Sequence, residues 1–351
     1  MLDLPRILAG SGRDELMRGL VFLGNRQVAL REFPDPVPGP GEVVVKIRSS
    51  GLCGSDLRPY RMETAQTTIG GHEPCGEVAA HGPGIAGAAV GDRVMVHHYS
   101  GCGTCKYCRS GYDQLCIHGH KTYGFGAHGG NAEFVLVPAR CLVPLPEELS
   151  FEAGAAIACG TGTAYMALKK LGVSGRDTLA VYGQGPVGLS ATLLGKAMGA
   201  RVIAIDIAAA RLEHARRLGA DAALNPTEGD PIEGVRALTR GEGADATLDC
   251  TGNATARAQT VRSARVFGRA CFVGEGGTVE LEPSPDIIHR HLTLYGSWTF
   301  SSVGLEECAR FIVDRQVPLE RLITHRFHLD QAVEAFQEFD KGETGKCVFV
   351  L

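Results

Sequence analysis

The chain has 351 residues, 44% hydrophobic and 21% charged, the composition of a soluble globular protein at a length that asks for two domains. Lys plus Arg number 35 against 39 Asp plus Glu, a formal charge of −4, so no basic excess points to nucleic acid or an anionic membrane. No apolar run is long enough to span a bilayer.

The N-terminus, MLDLPRILAGSGRDELMRGL, has early acidic residues and lacks the apolar stretch of a secretory signal, so a cytoplasmic location is expected. Met17 opens MRGLVFLG as a second start, and residues 1–16 are expected to be an extension of the fold. The chain then becomes strand-like and Gly/Pro-punctuated. QVALREF, PDPVPGPG, EVVVKIRSSGLC, GEVAAHG and GDRVMVHHY alternate apolar and polar residues between turn signals. Residues 1–158 are expected to form a β-rich domain.

Inside it, residues 100–117 hold four of the twelve cysteines: Cys102, Cys105, Cys108 and Cys116, spaced C-x2-C-x2-C-x7-C. Structural disulfides are not expected in a chain without a secretory signal. Cysteines two residues apart wrap one tetrahedral ion from a tight turn, and Gly101, Gly103 and Gly111 supply turn freedom. Common iron–sulfur spacings differ. Four thiolates close a site, so the zinc expected here is structural rather than catalytic. The alternative is a set of reduced or adventitiously oxidised surface thiols.

Near residue 150 the pattern changes. FEAGAAIACGTGTAYMALKKLG reads as a helix, TLAVYG as a buried strand, and PVGLSATLLGKAMGA as a helix stopping at Gly199. RVIAID is a second strand, AAARLEHARRLGA a helix stopped by Gly219, and residues 222–224 a short third strand. GVRALTR, ATLDCTG, ATARAQTVRSA and RACFVGEGG continue the alternation. This is the pattern of a doubly wound parallel sheet, an α/β fold, expected over residues 159–297. Residues 298–351 are expected to return to the first domain and end in the strand KCVFVL.

VYGQGPVG places Gly183, Gly185 and Gly188 as G-x-G-x-x-G between a strand and a helix, the context of a dinucleotide fingerprint. Gly183 makes the turn, Gly185 admits a pyrophosphate, and Gly188 lets helix and strand pack closely. Pro186 and Val187 open the helix whose free N–H groups face the phosphates, and Val273 is a further expected cofactor contact. Asp206 ends the second strand, where a carboxylate holds the ribose 2′-OH and repels a 2′-phosphate; NAD is favoured over NADP. Asp206 as a simple helix N-cap is the alternative. Arg211 is placed to touch adenine or a phosphate.

GHEPCGEVAAHGPGI fits G-H-E-x2-G-x5-G-x2-I through Gly71, His72, Glu73, Gly76, Gly82 and Ile85. With GLCGSD, the four-cysteine lobe, IACGTGTAY and YGQGPVG in that order, residues 17–351 resemble the zinc-dependent medium-chain dehydrogenases, which include alcohol, polyol and threonine dehydrogenases. The resemblance implies a GroES-like catalytic domain beside a Rossmann cofactor domain, two zinc ions per chain and a homodimer or homotetramer. It implies Cys53, His72 and Cys159 as catalytic zinc ligands, with Glu73 as an exchangeable fourth donor. Sorbitol-type members often carry an acid where this chain has Cys159. Asp56 then orients the histidine, Ser55 relays the substrate proton, and Thr163 packs behind the nicotinamide.

The chain departs from that pattern at two places. Arg58 stands where several members carry a proton-releasing histidine, and arginine cannot act as the base. Gly54 replaces a pyrophosphate-binding arginine of some members. His98 and Glu275 resemble pocket positions that are apolar in simple-alcohol enzymes, and Trp298 is a further pocket candidate with Tyr60. Arg58, His98 and Glu275 together suit a polyol, sugar-like alcohol, hydroxy acid or amino alcohol; otherwise they face solvent or cofactor. The expected reaction is NAD-linked oxidation of a polar secondary alcohol. The alternatives are a primary-alcohol dehydrogenase or aldehyde reductase of the same family, and a non-catalytic zinc- and nucleotide-binding protein. Cys75, Cys141, Cys250, Cys271, Cys308 and Cys347 read as core or surface thiols.

Overall fold

The computed structural model describes residues 16–351. The expected extension falls outside the described residues except for Leu16, which already opens a strand, Leu16–Gly24. That strand pairs antiparallel with Gln27–Pro34. Asn25 and Arg26 join them with φ of 51° and 58°, the left-handed pair that matches the twist of a two-residue hairpin.

A seven-stranded sheet follows. Its order is Ile323–His328, Lys346–Val350, Glu42–Gly51, Pro74–His81, Arg93–Val96 and Leu142–Pro144, with Phe134–Pro138 also paired to Glu42–Gly51. Glu42–Gly51 is buried on both faces, which explains its run of valines. Val43, Val45 and Ile47 pack with Val78, Val94 and Val137, while Val44 packs with Met17, Ile69 and Ala79 on the other side. The C-terminal strand Lys346–Val350 runs antiparallel to this central strand, with Val348, Phe349 and Val350 opposite Gly51, Ser50 and Ser49.

The second sheet has six strands, all parallel: Ala222–Leu224, Arg201–Ile205, Thr178–Tyr182, Ala244–Asp249, Ala264–Phe272 and Thr293–Gly296. The order reverses between Thr178–Tyr182 and Ala244–Asp249, and the crevice at their carboxyl ends is where a doubly wound sheet binds ligands. Thr178–Tyr182 is buried on both sides, with Leu179 and Val181 in the large core and Ala180 and Tyr182 in a second one with Ile203 and Ile205.

The helix expected over 151–172 is real but not uniform. Phe151–Ala156 and Gly162–Leu171 are α-helical, and Ile157–Thr161 between them is a π turn, a feature frequent at functional sites. It carries Cys159. Several elements have no counterpart in the sequence reading, among them the strands Phe134–Pro138, Leu142–Pro144, Thr293–Gly296 and Ile323–His328 and the helices Ser302–Asp314 and Ala332–Asp340. No helix among the described residues is long and apolar enough to cross a membrane.

Candidate active site

Cys53 follows the central strand and precedes the 3-10 turn Gly54–Asp56. Its backbone N–H donates to Asp56 Oδ2 at 2.9 Å, which fixes the turn. Asp56 Oδ1 accepts from His72 Nδ1 at 3.0 Å, leaving Nε2 to face the cluster. His72 and Glu73 lie on the loop before Pro74–His81. Gly71 before them has φ +85°, and a Cβ there would stand 2.2 Å from Asn131 Oδ1, so only glycine lets the loop close. Cys159 arrives from the π turn, its Sγ 3.9 Å from Cys53 Sγ.

The ligand atoms of Cys53, His72, Glu73 and Cys159 lie within 4.8 Å of one another, and all four residues are buried. The arrangement fits a metal ion. A tetrahedron with zinc–sulfur bonds of about 2.3 Å has edges of about 3.8 Å, and the two sulfurs are 3.9 Å apart without a disulfide. Glu73 Oε1 is buried with no hydrogen-bond partner among the described residues. Its other oxygen, Oε2, accepts from Lys346 Nζ. Burial pushes Glu73 up to about 7 against the pull of that ammonium. The hydrogen bond between the two cysteines holds Cys53 well below the usual thiol range and pushes Cys159 well above it.

The cysteine lobe forms a second cluster. The sulfurs of Cys102, Cys105, Cys108 and Cys116 lie within 4.8 Å of one another, and all four cysteines are free. Backbone N–H groups aim at them: Cys102 N at Cys116 Sγ (3.3 Å), Cys105 N at Cys102 Sγ (3.3 Å) and Cys108 N at Cys105 Sγ (3.5 Å). Such donors favour thiolates, and the Thr104 hydroxyl and amide hold Cys102 down at about 5. Gly101 is needed because a Cβ would lie 2.6 Å from Cys108 Sγ.

At the crevice of the parallel sheet, Gly183 has φ +86°, and a Cβ on Gly188 would stand 1.7 Å from the Gly183 carbonyl oxygen. The close helix–strand approach therefore requires glycine at 188. Gly185 caps the helix Pro186–Ala197, with Val187 in its first turn. Asp206 accepts from Gln184 N at 2.5 Å and from Ala208 N at 2.8 Å, so it both braces the glycine loop and starts the next helix. The Arg211 guanidinium comes within 3.9 Å of where a Gly185 Cβ would be, and its Nε donates to Thr344 O. Val273 leaves the strand Ala264–Phe272, its N–H donating to Asp249 O at 3.0 Å.

The remaining expected residues divide. Ser55 is exposed, and its Oγ is 3.3 Å from His72 Nε2. Thr163 is buried on Gly162–Leu171. His98 is buried, its ring centre 5.0 Å from that of His72, and its Nδ1 has no partner among the described residues. Burial, then the His72 charge, holds His98 well below the usual imidazole range. The Tyr99 ring centre lies 4.3 Å from that of His98 in a tilted contact, and Trp298 lies 5.7 Å from Tyr99, so a row of rings leads outward from His72. Glu275 is exposed, though near enough that its charge helps burial push Tyr99 up. Arg58 is exposed on Leu57–Arg61. Tyr60 belongs elsewhere: it is buried against Phe336, in a core with Leu20 and Phe349. Lys346 escaped the sequence reading; its only signal is a lysine opening the apolar strand KCVFVL.

A family model described as an alcohol dehydrogenase GroES-like domain matches residues 39–147, and one described as a zinc-binding dehydrogenase matches residues 186–314. The chain is 42% identical over 340 residues to an uncharacterised zinc-type alcohol dehydrogenase-like protein, YphC, of Escherichia coli, covering 93% of this chain and 96% of that one. It is 34% identical to the L-threonine 3-dehydrogenase of Symbiobacterium thermophilum, covering 96% and 98% of the two chains. The solved alcohol dehydrogenase TADH from Thermus sp. ATN1 superposes with a TM-score of 0.88 at 30% identity, over 95% of this chain and 99% of that one. The chain belongs to the zinc-dependent medium-chain dehydrogenases and is an oxidoreductase of the zinc-type alcohol dehydrogenase class.

Proposed function

We propose that this chain oxidises a polar secondary alcohol to the ketone, using zinc and NAD. The substrate class is a polyol, sugar alcohol, hydroxy acid or amino alcohol such as threonine. The observation that carries this reading is His98: one ring from His72, buried, with Nδ1 unpartnered among the described residues. A buried polar atom with no partner in the protein is satisfied by a polar ligand. The likeness to an L-threonine 3-dehydrogenase supports the same class.

Cys53, His72 and Cys159 would hold one zinc ion, with Glu73 as exchangeable donor; Cys102, Cys105, Cys108 and Cys116 would hold a second. Zinc at the first site supplies the Lewis acidity that lowers the pKa of a hydroxyl. NAD held at the Gly183–Gly188 loop would supply the acceptor for the hydride of the carbinol carbon. Asp56 keeps His72 in one tautomer and orientation. Ser55, beside His72 and exposed, takes the hydroxyl proton toward solvent. Arginine cannot serve as the base at position 58, so that proton leaves by water or by a different group. Thr163, buried on Gly162–Leu171, would pack behind the nicotinamide. Asp206 holds the ribose and its charge opposes a 2′-phosphate.

A homodimer or homotetramer in the cytoplasm completes the reading. Thr293–Gly296 is the edge of its sheet, and Val266, Phe267, Ile288 and Leu294 on it and its neighbours are exposed, which favours cover by a second copy.

The test is a screen of zinc-loaded protein with NAD against polyols, hydroxy acids, amino alcohols and simple alcohols, following nicotinamide absorbance. Preference for a polar secondary alcohol is expected. Preference for simple primary alcohols would make His98, Arg58 and Glu275 bystanders. Silence across the panel with NAD still bound would favour a non-catalytic protein.

A further inference from the structure

Gln114 sits on the 3-10 turn Asp113–Leu115 inside the cysteine lobe, between Cys108 and Cys116. It is 3% exposed, and its side chain leaves the lobe. Nε2 donates to Thr299 Oγ1 at 2.9 Å and to the Phe300 carbonyl at 2.8 Å, 185 and 186 residues further along the chain. Thr299 has φ +50°, a left-handed conformation that a β-branched residue adopts only under strain. The two bonds from Gln114 land on the strained residue and its neighbour. A third link runs the same way, from Ser302 N to the Gly111 carbonyl at 3.0 Å.

The strained residue directly follows Trp298, whose ring lies against Tyr99 and His120, outward of His98. Gln114 Oε1 is buried without a partner among the described residues. An apolar side chain of the same length would avoid that unsatisfied oxygen, so packing alone does not explain an amide here. Its two donors do.

We propose that Gln114 is a positioning residue for substrate recognition: the cysteine lobe reaches through it to hold the Thr299–Phe300 segment and so sets the place of the Trp298 ring at the outer end of the row of rings that leads from His72. The lobe then does more than stabilise the fold. Its folding around a metal becomes a condition for a correctly placed Trp298. The part of this that concerns substrate rests on the function proposed above; the part that concerns Trp298 does not.

Trp298 is the only tryptophan of the chain, so its fluorescence reports this one position. The experiment compares zinc-loaded wild type with Gln114→Leu, and with Gln114→Asn, which keeps the amide but shortens its reach. Emission wavelength, acrylamide quenching, zinc content and Tm are measured on each. Trp298 emission is expected to shift to the red and quenching to rise in both variants, with zinc content unchanged. Adding Thr299→Gly to Gln114→Leu removes the strain and is expected to bring the emission part of the way back. With the best alcohol from the screen, KM is expected to rise about fivefold, the weight of one hydrogen bond, with kcat nearly unchanged. Unchanged emission and quenching with a lowered Tm would overturn the proposal and leave Gln114 a packing residue. Altered emission with unchanged KM would overturn its link to substrate. Altered emission in a protein that turns over no alcohol would sink the proposed function while leaving the hold on Trp298 standing.

Discussion

Lys346 Nζ donates to Glu73 Oε2, and both side chains are buried in contact with the candidate zinc cluster. The ammonium also donates to the Leu52 carbonyl at 3.0 Å. Gly51 makes the space: a Cβ there would stand 2.8 Å from Lys346 Nζ and closer still to Glu73. The lysine thus occupies one oxygen of Glu73 and leaves Oε1 buried without a hydrogen-bond partner among the described residues. Removing one partner of a buried ion pair strands the other charge, at a cost of about 3–5 kcal/mol. Lys346→Met is therefore expected to lower unfolding stability by about that amount, and Lys346→Met with Glu73→Gln to recover most of it. Denaturant unfolding of the four proteins of this cycle checks it. Near-additive effects would mean that the two groups do not depend on each other.

The two cysteine-containing clusters should be separable by what each loses. Cys53→Ala is expected to cost one equivalent of zinc and essentially all turnover while leaving the fold intact. Cys105→Ala should also cost one equivalent, but its main effect should be on stability, lowering Tm by about 5 °C or more, the weight of about 2 kcal/mol in a domain of this size. Metal analysis with thermal unfolding distinguishes them. A Cys105→Ala protein with wild-type metal content and Tm would end the structural-zinc reading; retained turnover in Cys53→Ala would end the catalytic one.

How far these features could be read from sequence depended on how far apart in the chain their parts lie. The cysteine lobe spans 15 residues and its spacing alone brings four sulfurs together. Gly183, Gly185 and Gly188 are legible because the preceding strand and following helix are local patterns. Cys53, His72 and Cys159 are different. They converge from a strand end, a loop and a π turn, and Cys53 and Cys159 are 106 residues apart; only the resemblance to a family joined them. Lys346 and Gln114 were missed because each acts across a still longer separation, 273 residues to Glu73 and 185 to Thr299. Neither carries a local motif. The strand Thr293–Gly296 was missed for another reason: four residues at a sheet edge leave too short a pattern to read.

Cofactor choice should turn on Asp206. Its carboxylate is anchored by Gln184 N and Ala208 N, so it stays in place whether or not a ribose is present. A fixed negative charge at about 4 Å from a phosphate costs a few kcal/mol at a partly buried site. Asp206→Asn keeps an acceptor for the backbone and removes the charge. The ratio of kcat/KM for NAD to that for NADP is expected to fall by about tenfold or more, roughly 1.4 kcal/mol. A ratio that does not move would place the discrimination elsewhere, with Arg211 the next residue to change.

Acid sensitivity of the cofactor domain should show the ion pair at Asp286. Arg262 holds both oxygens, Nε to Oδ1 at 3.0 Å and an NH2 to Oδ2 at 3.1 Å, and Glu282 N adds a third bond. The Arg262 bond, chiefly, holds the Asp286 carboxyl below its ordinary 3.8. A depressed carboxyl stabilises the folded state above the unfolded value and loses that contribution as pH falls through the folded one. The loss is therefore expected below about pH 4. Asp286→Asn should be less stable than wild type at neutral pH, and the gap should close toward pH 3. A gap that stays constant with pH would show that the pair contributes nothing through its charge.

Substrate class rests most heavily on His98, and its replacement separates polar from apolar recognition. His98→Phe conserves a flat ring between His72 and Tyr99, so the packing of the row should survive. What disappears is the buried Nδ1 that no other described residue engages, together with the ring's hydrogen bond to the Ala158 backbone, which is lost equally for every substrate. If that atom bonds a substrate hydroxyl, carboxylate or amine, the loss appears when such a group is present and at no other time. The kcat/KM for the best polar alcohol should then drop by about tenfold, the weight of one buried hydrogen bond. For a simple secondary alcohol it should hold or rise, because an unsatisfied polar atom has been replaced by apolar surface. Equal losses for both alcohols would mean that His98 supports the site as a whole, and the polar-substrate reading would lose the observation that carries it.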